Sequence, residues 1–214
     1  PQIEASRIAL PATPSAFRPE QFLDGEVRAG FLDPRELHHG ALEGRVPHAP
    51  SHVSDCEWMK LLSPLDRGGV VEFEREADCP RGPGGESLRC GVFPVPKSTE
   101  RDRLITNKKG PNALERPVGA VRELFPHGCC VCELVVPEGC VLRGSGDDLP
   151  DFYHTMRCSR CRAWYTQLGP PVEYARVAHL EGARRWCERE GLSEADALAL
   201  NPRMQAVQAT LAIG

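Results

Sequence analysis

The sequence predicts an α+β fold, and three observations predict it. A capping box opens an amphipathic run at Ser54, two short apolar runs flank a polar turn between Cys90 and Asn107, and the pattern past Gly169-Pro170-Pro171 becomes helical again. Ser54 and Glu57 have the S-x-x-E spacing in which each side chain satisfies a backbone N–H of a helix start. Trp58, Leu61, Leu62 and Leu65 follow on one helical face; Pro64 is expected to end or bend that helix, and Gly68-Gly69 to stop it. Val70, Val71 and Phe73 read as a short strand, and residues 78–89 as a Gly- and Pro-rich loop. The runs Cys90–Val95 and Arg103–Thr106, joined through Lys97-Ser98-Thr99, read as a hairpin with a basic tip.

Residues 113–125 read as partly helical and interrupted at Pro117, and residues 130–136 and 140–143 as short strands around a Pro137-Glu138-Gly139 turn. Val177, Leu180, Ala183 and Trp186 keep one apolar helical face, with Glu181, Arg184 and Arg185 off it, so Trp186 is expected in the core. Asn201-Pro202 fits the N-cap and first position of a last helix reaching Leu211. Residues 1–53 show no sustained period.

Composition narrows the function classes. The chain has 214 residues, 41 % apolar and 26 % charged, which is globular rather than disordered. No apolar stretch approaches the roughly 20 residues that cross a bilayer, so no membrane partner is expected. Ten cysteines with no secretory apolar segment point to reduced thiols and an intracellular setting, nucleus or cytoplasm left open. The chain opens at Pro1 and stops at Gly214 in mid-pattern, and reads as a fragment. A net charge of −4 gives no global attraction for nucleic acid. Between Lys97 and Lys109, however, Lys97, Arg101, Arg103, Lys108 and Lys109 face only Glu100 and Asp102. That local excess suits a polyphosphate or a nucleic-acid backbone; a plain solvated hairpin is the alternative.

Two segments carry a resemblance. Phe93-Pro94-Val95-Pro96-Lys97 precedes Arg103-Leu104-Ile105, with Asn112 nine residues after the arginine, and Gly146-Asp147-Asp148-Leu149-Pro150-Asp151-Phe152-Tyr153 follows. In their order and spacing they resemble the reverse transcriptase (RNA-directed DNA polymerase) family of retrotransposons, with Asp148, Asp151 and Tyr153 on its D-x-x-D-x-[FY] pattern. Trp58-Met59-Lys60-Leu61-Leu62 and Gly68-Gly69-Val70-Val71-Glu72-Phe73 are similar to that family's lead into the fingers. The resemblance covers roughly residues 54–172.

It implies the fingers and part of the palm of a right-hand polymerase, truncated before the second catalytic carboxylate motif. The implied segments are a poorly defined 1–53, a fingers-like 54–125, the first part of the palm over 126–172, and a helical continuation over 173–214. The implied reaction is RNA-templated extension of a DNA primer by deoxynucleoside triphosphates with Mg²⁺. Asp148 is the implied catalytic residue and Mg²⁺ ligand, Tyr153 the gate under the sugar, and Lys97 and Arg103 the clamp on the β- and γ-phosphates. Asp151, Phe152 and Tyr153 would offer backbone N–H groups to the triphosphate, since Pro150 has none. Plainer roles stay open: an Asp cap at Asp147-Asp148, a core ring for Tyr153, a solvated tip for Lys97. The run Arg143-Gly144-Ser145-Gly146 is more polar than a buried palm strand.

Three alternatives remain. Ser145-Gly146-Asp147-Asp148 matches the second carboxylate motif of viral RNA-dependent RNA polymerases, although Pro150 breaks the strand that motif needs. Cys129-x-x-Cys132 and Cys158-x-x-Cys161 are two thiolate knuckles able to hold Zn²⁺, with a 25-residue gap longer than usual. A relic domain without catalytic function is the third. His38, His39 and His154 are expected to be solvent-exposed or local hydrogen-bond partners. No aromatic-x-Asp-Asp follows Tyr153, so the 214-residue chain is expected to incorporate no nucleotide on a primed template. Primer extension with the purified chain checks this.

Overall fold

A computed structural model describes every residue except 12, 13, 15, 40–45, 119–134, 142, 144–151 and 212–214. The described residues build an α+β architecture around one mixed sheet. Its strands are β1 (Val71–Arg75), β2 (Arg89–Pro96), β3 (Asp102–Asn107), β4 (Gln167–Glu173) and β5 (Arg203–Gln208), in the spatial order β1-β5-β4-β2-β3. Only β2 and β4 run parallel, and they meet over just Arg89↔Gln167 and Cys90↔Leu168. The helices are α1 (Gly25–Leu32), α2 (Asp55–Arg67), α3 (Lys109–Leu114), α4 (Arg160–Trp164), α5 (Tyr174–Val177), α6 (Glu181–Glu190) and α7 (Glu194–Leu200). No helix among the described residues is long and apolar enough to cross a membrane.

The sheet takes strands from both sides of residues 119–134, so its core joins distant parts of the chain. Trp58, Leu61, Leu62 and Leu65 of α2 pack in one cluster with Phe73, Val92, Leu104, Leu168, Trp186 and Met204. Ser54 caps α2 as expected, its Oγ accepting from the Glu57 N–H at 3.2 Å. Glu57 does not close the box; its carboxylate instead accepts from the Ala5 N–H at 2.7 Å. Pro64 neither ends nor visibly limits the helix, which runs on to Arg67. The carbonyl that Pro64 leaves without a helical donor belongs to Lys60, an exposed residue whose backbone can turn to water. Asp66, buried near the end of α2, accepts from the N–H groups of Glu181 and Gly182 at 2.9 and 2.8 Å and so caps α6 from another element.

β4 was not expected, because Gly169-Pro170-Pro171 reads as punctuation. Proline removes ladder donors and is normally excluded from a central strand. Here the strand tolerates it through a register shift between Leu168 and Val172. The carbonyls of the irregular stretch find side-chain donors: Gln205 Nε2 donates to Leu168 O at 2.7 Å, and the Trp58 indole N–H to Pro170 O at 2.9 Å. Gly169 sits at φ +58 against the Trp58 ring, where an added Cβ would lie 2.6 Å from a ring carbon.

The expected last helix is a strand instead. Asn201 ends α7 in the left-handed conformation, φ 38, and its Oδ1 accepts from the Ala175 N–H at 3.0 Å. β5 follows, and Met204 to Gln208 are all buried, so no alternation marks it in the sequence. The helix expected within 113–125 lies earlier, at 109–114, and residues 119–125 fall outside the described ones. The Pro137–Cys140 turn is present, closed by Cys140 N to Pro137 O at 3.0 Å. Of the strands expected beside it, residues 135, 136, 140, 141 and 143 are not in strands, and the others fall outside the described residues.

Parts of the N-terminal segment are firmly placed. Ile3 and Ile8 are buried, Ile3 N donates to His52 O at 2.8 Å, and Ala9 N donates to Asp102 O at 2.9 Å on the outer edge of β3. At Gly169, left-handed strain and overpacking against Trp58 act together, so Gly169→Ala should lower the unfolding free energy by about 2–5 kcal/mol. Urea denaturation followed by tryptophan fluorescence measures it.

Candidate functional site

The hairpin of β2 and β3 pairs as its alternation predicts, with Val95 opposite Arg103 and Phe93 opposite Ile105. Cys90, Val92 and Leu104 point into the core, which places Phe93, Val95, Arg103, Ile105 and Asn107 on the other face. The tip is a tight turn: the N–H groups of Lys97 and Ser98 both donate to Arg101 O, at 2.8 and 2.9 Å, and Ser98 Oγ accepts from the Arg101 N–H at 3.1 Å. At the base, Asn107 Oδ1 accepts from the Lys109 N–H at 3.1 Å and starts α3. A cleft of about 520 Å³ opens there, floored by Phe93 and Ile105 and rimmed by Asn107, Lys108, Lys109 and Asn112. Arg103 lies on the same strand face as Ile105, so the arginine and the Asn112 of the sequence pattern both serve the outer side of the hairpin.

The electrostatics set this hairpin apart. Elsewhere most guanidiniums have carboxylate partners, as in Arg35–Asp33, Arg75–Asp78, Arg162–Glu115, Arg176–Asp55 and Arg203–Glu76. Among the described residues, Lys97, Arg101, Arg103, Lys108 and Lys109 pair with none. Asp102, one of the two acids in the stretch, turns away and meets Arg7 through two bonds, Nε to Oδ2 at 2.9 Å and a terminal nitrogen to Oδ1 at 3.1 Å. Arg7 also donates to Thr99 O at 3.2 Å and braces the turn from behind. The Arg7 bonds hold the Asp102 carboxyl below its ordinary range.

The other expected residues fall in three groups. Lys97 stands exposed at the tip and Arg103 on the outer face. Phe152 and Tyr153 lie in a single 3-10 turn, Phe152–Thr155, with rings edge to face at 5.5 Å and both partly exposed, so Tyr153 is not a core ring. Asp148 and Asp151 lie outside the described residues, as do Cys129 and Cys132.

The chain just after Tyr153 meets the foot of the hairpin through β5. Thr106 Oγ1 donates to Gln208 Oε1 at 3.1 Å, and past Gln208 the strand continues beside 156–158, with Leu211 N donating to Met156 O and Cys158 N to Ala209 O, both at 2.9 Å. Burial pushes the Cys158 thiol up, and the charge of Lys108 is first among those opposing it. Among the described residues, no group of three or more His, Cys, Asp and Glu could hold a metal ion. Of the expected zinc set, only Cys158 and Cys161 lie among the described residues. His154, expected to be exposed or locally bonded, is buried, and its Nδ1 lies 3.4 Å from Thr210 Oγ1, 56 residues on.

Sequence reasoning missed Arg7, whose role rests on a contact 95 residues away that no local pattern signals. It also missed Phe93 and Ile105 as the cleft floor, although their alternation with Val92 and Leu104 carries that information. The Arg7–Asp102 pair gives a pH dependence with a definite sign. A depressed carboxyl stabilises the fold above the ordinary carboxylate pKa of about 4 and ceases to do so as the pH falls through the lower folded value. Arg7→Gln should therefore be less stable than the wild type at neutral pH, with the gap closing in acid; thermal unfolding across that range checks it. No protein-family model matches the chain, no curated protein matches its sequence, and no solved structure matches its fold.

Proposed function

We propose that this chain forms the fingers and the start of the palm of a reverse-transcriptase-like polymerase, and that its cationic hairpin receives the phosphates of a deoxynucleoside triphosphate. The observation that carries the reading is the set of five cations between Lys97 and Lys109, none with a carboxylate partner among the described residues, beside a cleft of about 520 Å³. Cations held apart from the carboxylates around them are free to neutralise a ligand. Arg103 would grip phosphate oxygens bidentately with its planar fork, and Lys97 would follow them as a mobile point charge. Asn107 and Asn112 supply neutral donors and acceptors at the rim, and Phe93 and Ile105 an apolar floor.

By the resemblance, Asp148 would hold Mg²⁺, for which a hard carboxylate oxygen is a fitting ligand. Bound there, the ion would supply charge stabilisation to the attacking and leaving oxygens. Tyr153, partly exposed on its 3-10 turn, would lie under the sugar. RNA template and DNA primer are the partners this reading implies.

Each charge-assisted hydrogen bond to phosphate is worth about 1.5–3 kcal/mol. Arg103→Gln should thus weaken Mg²⁺-dependent binding of a fluorescent deoxynucleoside triphosphate by roughly tenfold or more. Lys97→Gln should weaken it less. Equilibrium dialysis on the 214-residue chain reads both, and equal affinity in wild type and Arg103→Gln would sink the assignment.

A further inference from the structure

Residues 25–39 meet the end of α3 and the side of α4 at one small junction. Past the 3-10 turn Pro34–Leu37, the chain bridges to the residues after α3: His39 N donates to Leu114 O at 2.9 Å, and Arg116 N to Leu37 O at 2.7 Å. α4 closes the other side. The Arg162 fork donates to the two Glu115 oxygens, each at 3.2 Å, and its Nε to Phe31 O at 3.1 Å. The same guanidinium donates to Gly30 O, and the Ser159 hydroxyl to Leu32 O, so the last carbonyls of α1 are capped from α4. Arg116 pairs with Glu26 of α1.

His38 stands in the middle of this junction. Its ring meets Tyr165 edge to face at 5.1 Å, and its Nε2 is buried with no hydrogen-bond partner among the described residues. A neutral imidazole leaves at that nitrogen one unmet hydrogen bond; a protonated one adds a second donor and a charge. The charged groups around it offer no open acceptor. Glu115 spends both oxygens on Arg162, and Asp33 spends both on Arg35. Arg35 and Arg162 carry the same sign as an imidazolium, and the Tyr165 phenol, pushed up by burial, stays neutral. Burial holds the His38 ring below its ordinary range; Glu115 and Asp33 oppose the shift, and the two guanidiniums reinforce it.

We propose that this junction is an acid-release latch: a neutral His38 seats residues 25–39 on α3 and α4, and a proton on its ring unseats them. The imidazolium has to take a carboxylate oxygen from Arg162 or Arg35, or turn out to water, and each course loosens the junction. The sign follows from the environment. A closed state that prefers the neutral ring keeps its full stability above the ordinary histidine pKa of about 6.5 and loses it as the pH falls from there to the lowered folded value. One pH unit below the ordinary value, the opened form gains up to about tenfold over the closed one. α3 carries Lys109 and Asn112 of the hairpin cleft, so the latch lies behind that rim. It stands whether or not the cleft receives a triphosphate.

The test is amide hydrogen exchange read by NMR on the 214-residue chain, from about pH 7.5 down to about pH 4.5, with intrinsic rates divided out. The His39 and Arg116 amides report the junction, and the Tyr174 amide, bonded to Pro202 O at 2.9 Å, reports the sheet. Protection of the first two should begin to fall near pH 6.5, by up to about tenfold at pH 5.5, while that of Tyr174 holds. His38→Gln and His38→Phe, neither of which titrates, should show no further loss in acid, whatever their protection at neutral pH. The ring's own NMR titration in the wild type should fall below the ordinary histidine value. The proposal is overturned by unchanged wild-type protection, by an equal fall at Tyr174, by the same acid loss in either variant, or by a ring that titrates at or above about 6.5.

Discussion

β4 carries Pro170 and Pro171 in the middle of a sheet, between β5 and β2, where two missing N–H groups and a shifted register leave backbone carbonyls facing the interior. Buried carbonyls without partners cost about as much as a lost hydrogen bond. The Trp58 indole and the Gln205 amide supply the donors, and both side chains are fully buried. Because the indole also rests on Gly169, α2 is pinned to the sheet at the one place where strand geometry fails. The hairpin hangs from β4 through two paired residues, so its orientation inherits whatever this repair fixes.

Charge is distributed with a similar economy. On β1 two glutamates face one way and Val71 and Phe73 the other, and the glutamates gather guanidiniums from α6, from Arg157 and from Arg160 at the start of α4. Carboxylates are thereby spent inside the fold, where an unpaired charge would be costly. Among the described residues, no carboxylate pairs with the cations of the hairpin. A chain of net charge −4 can in this way present positive surfaces.

The hairpin was legible because a half-buried strand alternates, and Phe93, Val95, Arg103 and Ile105 keep that alternation around a polar turn. α2 was legible from its cap and its four apolar residues, and Trp186 from its helical face. β4 and β5 were not, for opposite reasons. β4 contains residues that propensity assigns to loops, and β5 is buried on both faces from Met204 on and built mostly from Met, Gln and Ala, which favour a helix over a strand. Asn201-Pro202 fits a helix start as well as it fits the left-handed end of α7, and only the pairing with β1 decides.

The strap formed by residues 3–9 has a consequence of its own. β3 is the last strand of the sheet, and its outer rim is met by Ile8 and Ala9 through a single parallel bridge at Asp102. An unprotected rim of free N–H and C=O groups is a template for strand addition by other molecules. Arg7 clasping Asp102 keeps that short cover seated, and the charged side chain of Arg103 alongside discourages stacking of copies. The first turn of the chain therefore acts as a guard against self-association, and its loss would be felt as clumping in solution before it was felt as unfolding.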